Sequence, residues 1–144
     1  MGMIQQTFCY QRECLALTQI SKLNSQHVRN YTQYKPIPDI TFKTVQGSED
    51  KNGLPLVILH GLFGSYLNFS TFARQFSQQH HRPVHLVNLR NHSDPQNHSP
   101  VMNFTVMASD LALFLDKHKI EECDLFGFSL GGKTVSLFRD LHYR

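Results

Sequence analysis

The sequence predicts an α/β domain, in which parallel strands are joined by crossover helices, and three observations carry that prediction. Leu54 to Leu59 is an almost unbroken apolar run, the pattern of a strand buried on both faces of a parallel sheet. Beyond it, strand-like runs alternate with segments whose apolar residues recur at helical spacing. The last such run, Cys123 to Gly127, leads through Phe128 into a glycine-flanked serine, Ser129, and then into a helical stretch.

Taken in order, residues 1–38 form a segment rich in Gln, Ser and Asn, with Arg12, Lys22, Arg29 and Lys35 spaced among Leu15, Leu17, Ile20, Leu23 and Val28. Two readings fit it: a mitochondrial presequence or a polar disordered extension contributing little to the core. Pro36 and Pro38 close the segment, because proline and the residue before it resist helix, so the folded part, 39–144, begins near Asp39. Ile40, Phe42 and Val45 suit an edge strand, and Gly47 to Gly53 an exposed turn. Leu54 to Leu59 then ends at His60-Gly61-Leu62-Phe63-Gly64-Ser65, a tight turn. Phe69, Phe72 and Phe76 fall on one face of a helix from about Leu67 to Gln78 and are expected in the core.

Pro83 opens a strand through Val84, Leu86, Val87 and Leu89, followed by the turn-rich Arg90 to Pro95. Strand, helix, strand in that order implies a right-handed parallel crossover. Asn103 suits the cap of a second helix lined by Val106, Met107, Leu111, Phe114 and Leu115, with Lys117, His118 and Lys119 at its C-terminal end.

Composition narrows the functional classes. The net charge of +3 is concentrated before Pro38, which gives no basic surface for nucleic acid. The cysteines Cys9, Cys14 and Cys123 cannot all pair, and a reducing compartment fits them better than a disulfide framework. No apolar run approaches the roughly 18 residues of a membrane span. Sequons at Asn30, Asn68, Asn91, Asn97 and Asn103 are read as chance, and Gln6 stands where a myristoylation signal at Gly2 wants Ser or Thr. His80, His81, His85, His92 and His98 lack helical ligand spacing with a nearby acid, so no metal is assigned. Asp110, flanked by core residues, is read as an exposed or capping carboxylate.

The chemistry concentrates at Ser129. Gly127, Ser129 and Gly131 match G-x-S-x-G, in which a strand turns so sharply into a helix that the serine is held at a strained backbone angle with its hydroxyl exposed. The glycines are a steric requirement of that turn, and the helix N-terminus beneath it suits a developing anion, as acyl transfer demands. The same letters, Gly127 to Thr134, also fit G-x-x-x-x-G-K-[ST], a phosphate loop with Lys133 on a nucleotide and Thr134 on magnesium. A glycine-rich turn without chemistry is the third reading. Local sequence leaves the three open.

Taken together, His60 to Ser65 with Asn68-Phe69, Arg90-Asn91-His92, Met107 with Asp110-Leu111, and Gly127 to Lys133 resemble the α/β-hydrolase superfamily. Within it the chain is similar to the group of the mitochondrial α/β-hydrolase domain-containing protein eleven and related bacterial short-chain esterases. The resemblance spans about 54–134 and implies a serine esterase without cofactor. Ser129 would attack an acyl carbonyl, and the amides of Leu62 and Leu130 would form the oxyanion hole. His60, Gly61, Gly127 and Gly131 would support the site. It also implies a small acyl ester or lipid-like substrate and a mitochondrial location, otherwise a cytoplasmic one. Set against these ordered motifs, the phosphate-loop reading becomes the weakest.

Departures from the group's pattern fall at Asn88, Ser93, Phe128 and Leu130, where relatives often carry Asp, Gly, His and Met. Ser93 is awkward if its turn needs a positive φ, and Phe128 alters the polarity behind the serine. The larger departure is length. The chain is expected to be the N-terminal half of the hydrolase fold, ending just after the nucleophile elbow, with the catalytic acid, the histidine and the substrate-selecting lid lying later. Asp140 and His142 follow the serine too soon and lie on the helix leaving it. The chain alone is therefore expected to be inactive, a non-catalytic fragment or interaction module whose Ser129 strand has an unpaired edge open to another chain.

Overall fold

The computed structural model describes residues 15–20, 40–46, 53–93 and 95–142. Strands β1 (Leu15–Ile20), β2 (Phe42–Val45), β3 (Leu56–Leu59), β4 (Val84–Val87) and β5 (Cys123–Phe128) form one sheet in the order β1-β5-β3-β4-β2. The central β5, β3 and β4 are parallel, while β1 and β2 run antiparallel along the two edges. Helices α1 (Ser70–His80), α2 (Phe104–Lys117) and α3 (Leu130–His142) cover the faces.

Alternation along β3 divides the core in two. Leu56 and Ile58 pack with Val84, Leu86 and Ala73 of α1 on one face. Val57 and Leu59 pack on the other with Leu111 and Leu115 of α2 and with Val135 and Phe138 of α3. All four β3 side chains are buried, as a strand covered on both faces requires. Asn103 caps α2, its Oδ1 accepting from the Val106 amide at 2.9 Å. The helix ends where Lys119 enters the left-handed region at φ 54°, and the Ile120 amide then reaches back to Leu115 O at 2.9 Å.

Three expectations need correction. Residues 15–20, placed by sequence in a polar extension outside the core, form β1, with Ile20 1% exposed in the cluster beneath α2 and α3. The alternation of Thr18 and Ile20 inward with Gln19 outward fits a strand, but a short alternation inside a polar segment is weak evidence beside the composition around it. It follows that the edge of β5 is not open: β1 pairs along it from Leu15 opposite Phe128 to Ile20 opposite Cys123. The expectations for 1–14 and 21–38 lie outside the described residues. The third correction concerns Phe72, which stacks on Phe126 of β5 with ring centres 6.1 Å apart but stays 45% exposed, whereas Phe69 and Phe76 are partly buried against the core. The predicted helix is two pieces, a 3-10 turn at Tyr66–Phe69 and then α1, in which Phe72 lies beside Phe76 with ring centres 5.8 Å apart.

Candidate active site

Ser129 is the single residue between β5, which ends at Phe128, and α3, which begins at Leu130. Its φ is 51°, a left-handed value that a non-glycine residue adopts only when its surroundings enforce it. The enforcement is visible on both sides. A Cβ at Gly127 would lie 2.4 Å from Gly131 O, and one at Gly131 would lie 2.5 Å from Leu59 O and 2.7 Å from His60 O. These neighbours are backbone, so the first turn of α3 sits on the end of β3 with no room for a side chain. The Gly131 amide also donates to His60 O at 3.1 Å, which fastens the two turns together.

Gly61 completes the approach. It is buried, and a Cβ there would come within 2.8 Å of the Phe128 ring and 3.4 Å of Ser129 Cβ. The His60-Gly61 turn therefore lies directly against the serine. Past it the loop turns outward: Leu62 is 54% exposed and Phe63 92%, the latter at φ 59°. Gly64 N donates to Gly61 O at 3.0 Å. Ser65 and Asn68 then cap each other's backbone amides at the start of the 3-10 turn.

His60 is a strut for this loop. It is 1% exposed, its Nε2 accepts from the Leu89 amide at 3.0 Å, and its Nδ1 therefore carries the proton and donates to Gly61 O at 2.7 Å. Burial pushes its pKa from 6.5 down to about 4; the Gly61 carbonyl opposes this and neighbouring His92 adds to it. With both nitrogens engaged in holding the chain, His60 is unsuited to serve as the base for Ser129.

The loop after β4 is held in the same way, and here the sequence reading missed most of the machinery. Arg90 is fully buried and forms a two-pronged ion pair with Asp110 of α2, Nε to Oδ2 at 2.6 Å and Nη2 to Oδ1 at 2.7 Å. Its remaining nitrogen, Nη1, donates to Val101 O at 2.7 Å and to Ser99 Oγ at 3.3 Å. Asp110 is 3% exposed, which corrects its assignment to an exposed or capping role. The signal was present, since Asp110 interrupts an apolar stretch at a helix centre and a buried carboxylate there requires a cation. Asn91 holds Ser99 by two bonds, accepting from its amide at 2.7 Å and donating to its carbonyl at 2.9 Å. Asn88, noted only as a departure, keeps an acceptor where a carboxylate would supply one: its Oδ1 receives the Tyr66 amide at 2.7 Å. Ser93 does take the positive φ that made it awkward, 61°, and its hydroxyl donates to Gly64 O at 3.4 Å.

The phosphate-loop reading is overturned. Such a loop needs several residues of open backbone wrapping an anion, but only Ser129 separates strand from helix here. Lys133 lies one turn into α3, its ammonium 5.8 Å from the Phe104 ring centre. Thr134 is fully buried, and its hydroxyl donates to Leu130 O at 3.0 Å. Asp140 sits ten residues along α3 from Leu130, roughly 15 Å from the helix start at 1.5 Å per residue, and pairs with Arg139. His142, at the end of the same helix, is equally remote. Among the described residues no helix is long and apolar enough to cross a membrane.

Comparison with known proteins agrees with this architecture. A family model described as the alpha/beta hydrolase fold matches residues 55–142. The sn-1-specific diacylglycerol lipase ABHD11 of Danio rerio is 36% identical over 122 residues, covering 85% of this chain and 36% of the lipase. Esterase YbfF of Escherichia coli is 41% identical over 58% of this chain and 32% of its own length. A probable alcohol acetyltransferase of Saccharomyces cerevisiae is 35% identical over 73% of this chain and 33% of its own length. Among solved structures, a marine microorganism esterase superposes with a TM-score of 0.62 at 34% identity, over 70% of this chain and 36% of that one. The matched stretch is thus about a third of each of these relatives. With a mostly parallel central sheet, flanking helices and a left-handed serine between strand and helix, the chain belongs to the α/β-hydrolase family.

Proposed function

We propose that Ser129 is the nucleophile of a serine esterase, attacking the carbonyl carbon of a carboxylic ester at a nucleophile elbow. The observation that carries this reading is its φ of 51° at a one-residue strand-to-helix junction packed against the His60-Gly61 turn. Such a turn lifts the hydroxyl clear of the backbone and sets the amide of Leu130, at the N-terminus of α3, beneath the reacting centre. The Leu62 amide, next to Gly61, supplies the second oxyanion donor. Preorganised donors of this kind typically contribute on the order of 10²-fold to 10³-fold in rate each.

An apolar acyl group suits the surroundings. Phe126 and Phe128 of β5 face Phe69, with ring centres 5.7 Å and 6.3 Å away, and the exposed Leu62 and Phe63 flank the turn. Names of relatives, a diacylglycerol lipase and an esterase among them, point to the same small acyl ester or lipid-like class. A mitochondrial location is supported by the family resemblance of the sequence motifs alone. A serine hydroxyl is a weak nucleophile without an adjacent base, so any acylation of Ser129 in the 144-residue chain is expected to be slow and multiple turnover negligible.

The test is p-nitrophenyl acetate with the full chain and with Ser129→Ala, following both released nitrophenol and intact mass. Slow acetylation mapped to Ser129, absent in Ser129→Ala and without multiple turnover, is expected. Acetylation at another residue, or equal acetylation in both proteins, would overturn the assignment.

A further inference from the structure

Strands β3, β4 and β5 are parallel, so their C-terminal ends share one end of the sheet, and Ser129 stands there. The stretches that leave two of those strands, 60–69 after β3 and 88–103 after β4, begin at the same end, as do the helices α1 and α2 that follow them. Among the described residues, the large apolar side chains left exposed are Leu62, Phe63, Leu67, Phe72, Val101 and Met102, and every one falls in those stretches or in the first turn of α1. The opposite end is charged: Asp116, Lys117, Lys119 and Glu121 are exposed where α2 returns to β5. Apolar exposure gathered at one end in this way marks an interaction surface.

Phe63 shows that the exposure is built in. It is the third residue of a turn closed by Gly64 N donating to Gly61 O at 3.0 Å, its φ is 59°, and such a position is served best by glycine. A phenylalanine there strains the backbone and, at 92% exposed, gains no burial in return. The exposed formal charges at this end are cations. Arg74 is the one formally charged residue between 53 and 81, and it is exposed one turn into α1. Lys133 is exposed one turn into α3 with its ammonium 5.8 Å from the Phe104 ring centre, the posture of a lysine whose stem lies along apolar surface while its head stays in water. Among the described residues the carboxylate at this end is Asp110, buried against Arg90; Asp94 lies outside them.

We propose that this end of the molecule docks on an anionic lipid bilayer, with Leu62, Phe63 and Leu67 entering the boundary of the hydrocarbon and Arg74 and Lys133 at the headgroup phosphates. An anionic surface complements both cations, whereas a second copy seated on the same patch would bring like charges together. Docked so, Ser129 faces the layer that holds long-chain esters. That consequence rests on the reading of Ser129 as the nucleophile; the docking itself does not.

Co-sedimentation of the full chain with vesicles of phosphatidylcholine, alone or mixed with an equal part of phosphatidylglycerol, at low ionic strength, tests it. Partition onto the mixed vesicles is expected, and it should fall roughly tenfold or more both on neutral vesicles and in Phe63→Gly. Because glycine relieves the strain at this φ, the melting temperature of Phe63→Gly should not fall, which separates lost docking from lost fold. Arg74→Gln with Lys133→Gln should bring partition onto mixed vesicles down to the neutral level. Ser129→Ala should partition like wild type, so vesicle binding and the acetylation of Ser129 succeed or fail separately. Absence of vesicle binding would overturn the proposal, and equal partition onto both vesicles would overturn the choice of an anionic surface. Full binding by Phe63→Gly would assign the affinity to the basic residues before Pro38 and overturn it as well. Self-association without vesicle binding, seen by light scattering and lost in Phe63→Gly, would make a second copy the occupant.

Discussion

Replacing Asp110 by asparagine would leave the Arg90 guanidinium charged, fully buried and facing a neutral amide in place of a carboxylate that now takes two of its N–H groups at 2.6 and 2.7 Å. Arginine cannot shed its proton to escape, and the bonds it keeps, to Val101 O and Ser99 Oγ, carry no negative charge. Breaking a buried pair in this way typically costs about 3–5 kcal/mol, a large share of the roughly 5–15 kcal/mol that holds a domain together. With a urea dependence of about 2 kcal/mol per molar, the unfolding midpoint should fall by roughly 2 M. Removing both charges, as in Arg90→Met with Asp110→Leu, should recover much of that loss, since a desolvated ion pair gains little over well-packed hydrocarbon. Urea titration followed by circular dichroism measures all three proteins. A single variant within about 1 kcal/mol of wild type would refute the argument, because it would mean that water or another anion compensates Arg90.

Other perturbations test the remaining parts of the site. Gly131→Ala should gain about 1 kcal/mol of helix propensity yet be destabilised overall, because its methyl meets Leu59 O at 2.5 Å and crowding against fixed backbone typically costs 1–3 kcal/mol or more; a raised melting temperature would count against the close contact between α3 and β3. His60 binds its proton more weakly folded, at about 4, than unfolded, at 6.5, so its contribution is complete above 6.5 and lost as pH falls toward 4, on the order of 3 kcal/mol in all. Stability measured from pH 7 to 4 should show that slope flattened in His60→Gln, and parallel curves would remove His60 as its source. Gly61→Val should crowd Phe128 and Ser129 and abolish acetylation of Ser129 by p-nitrophenyl acetate; unchanged labelling by mass spectrometry would separate that turn from the serine.

What the sequence determined by itself was whatever short-range rules control. The apolar run of β3, the Asn103 cap and the glycines around Ser129 each dictate local backbone through sterics or hydrogen bonding with near neighbours, and each element appears where those rules put it. The ordered motifs had already made a phosphate loop the weakest reading, and the folded chain excluded it, because such a loop keeps several residues of backbone open between strand and helix where this chain has one. Likewise, Arg90 and Asp110 are twenty residues apart, and their pairing depends on where α2 crosses the end of β4. The seating of β1 is the extreme case. Nothing near residue 20 in the chain specifies a partner at residue 123; the sheet does so by presenting the unpaired backbone of β5 beneath the apolar underside of α3, a surface that exists only once the rest has folded.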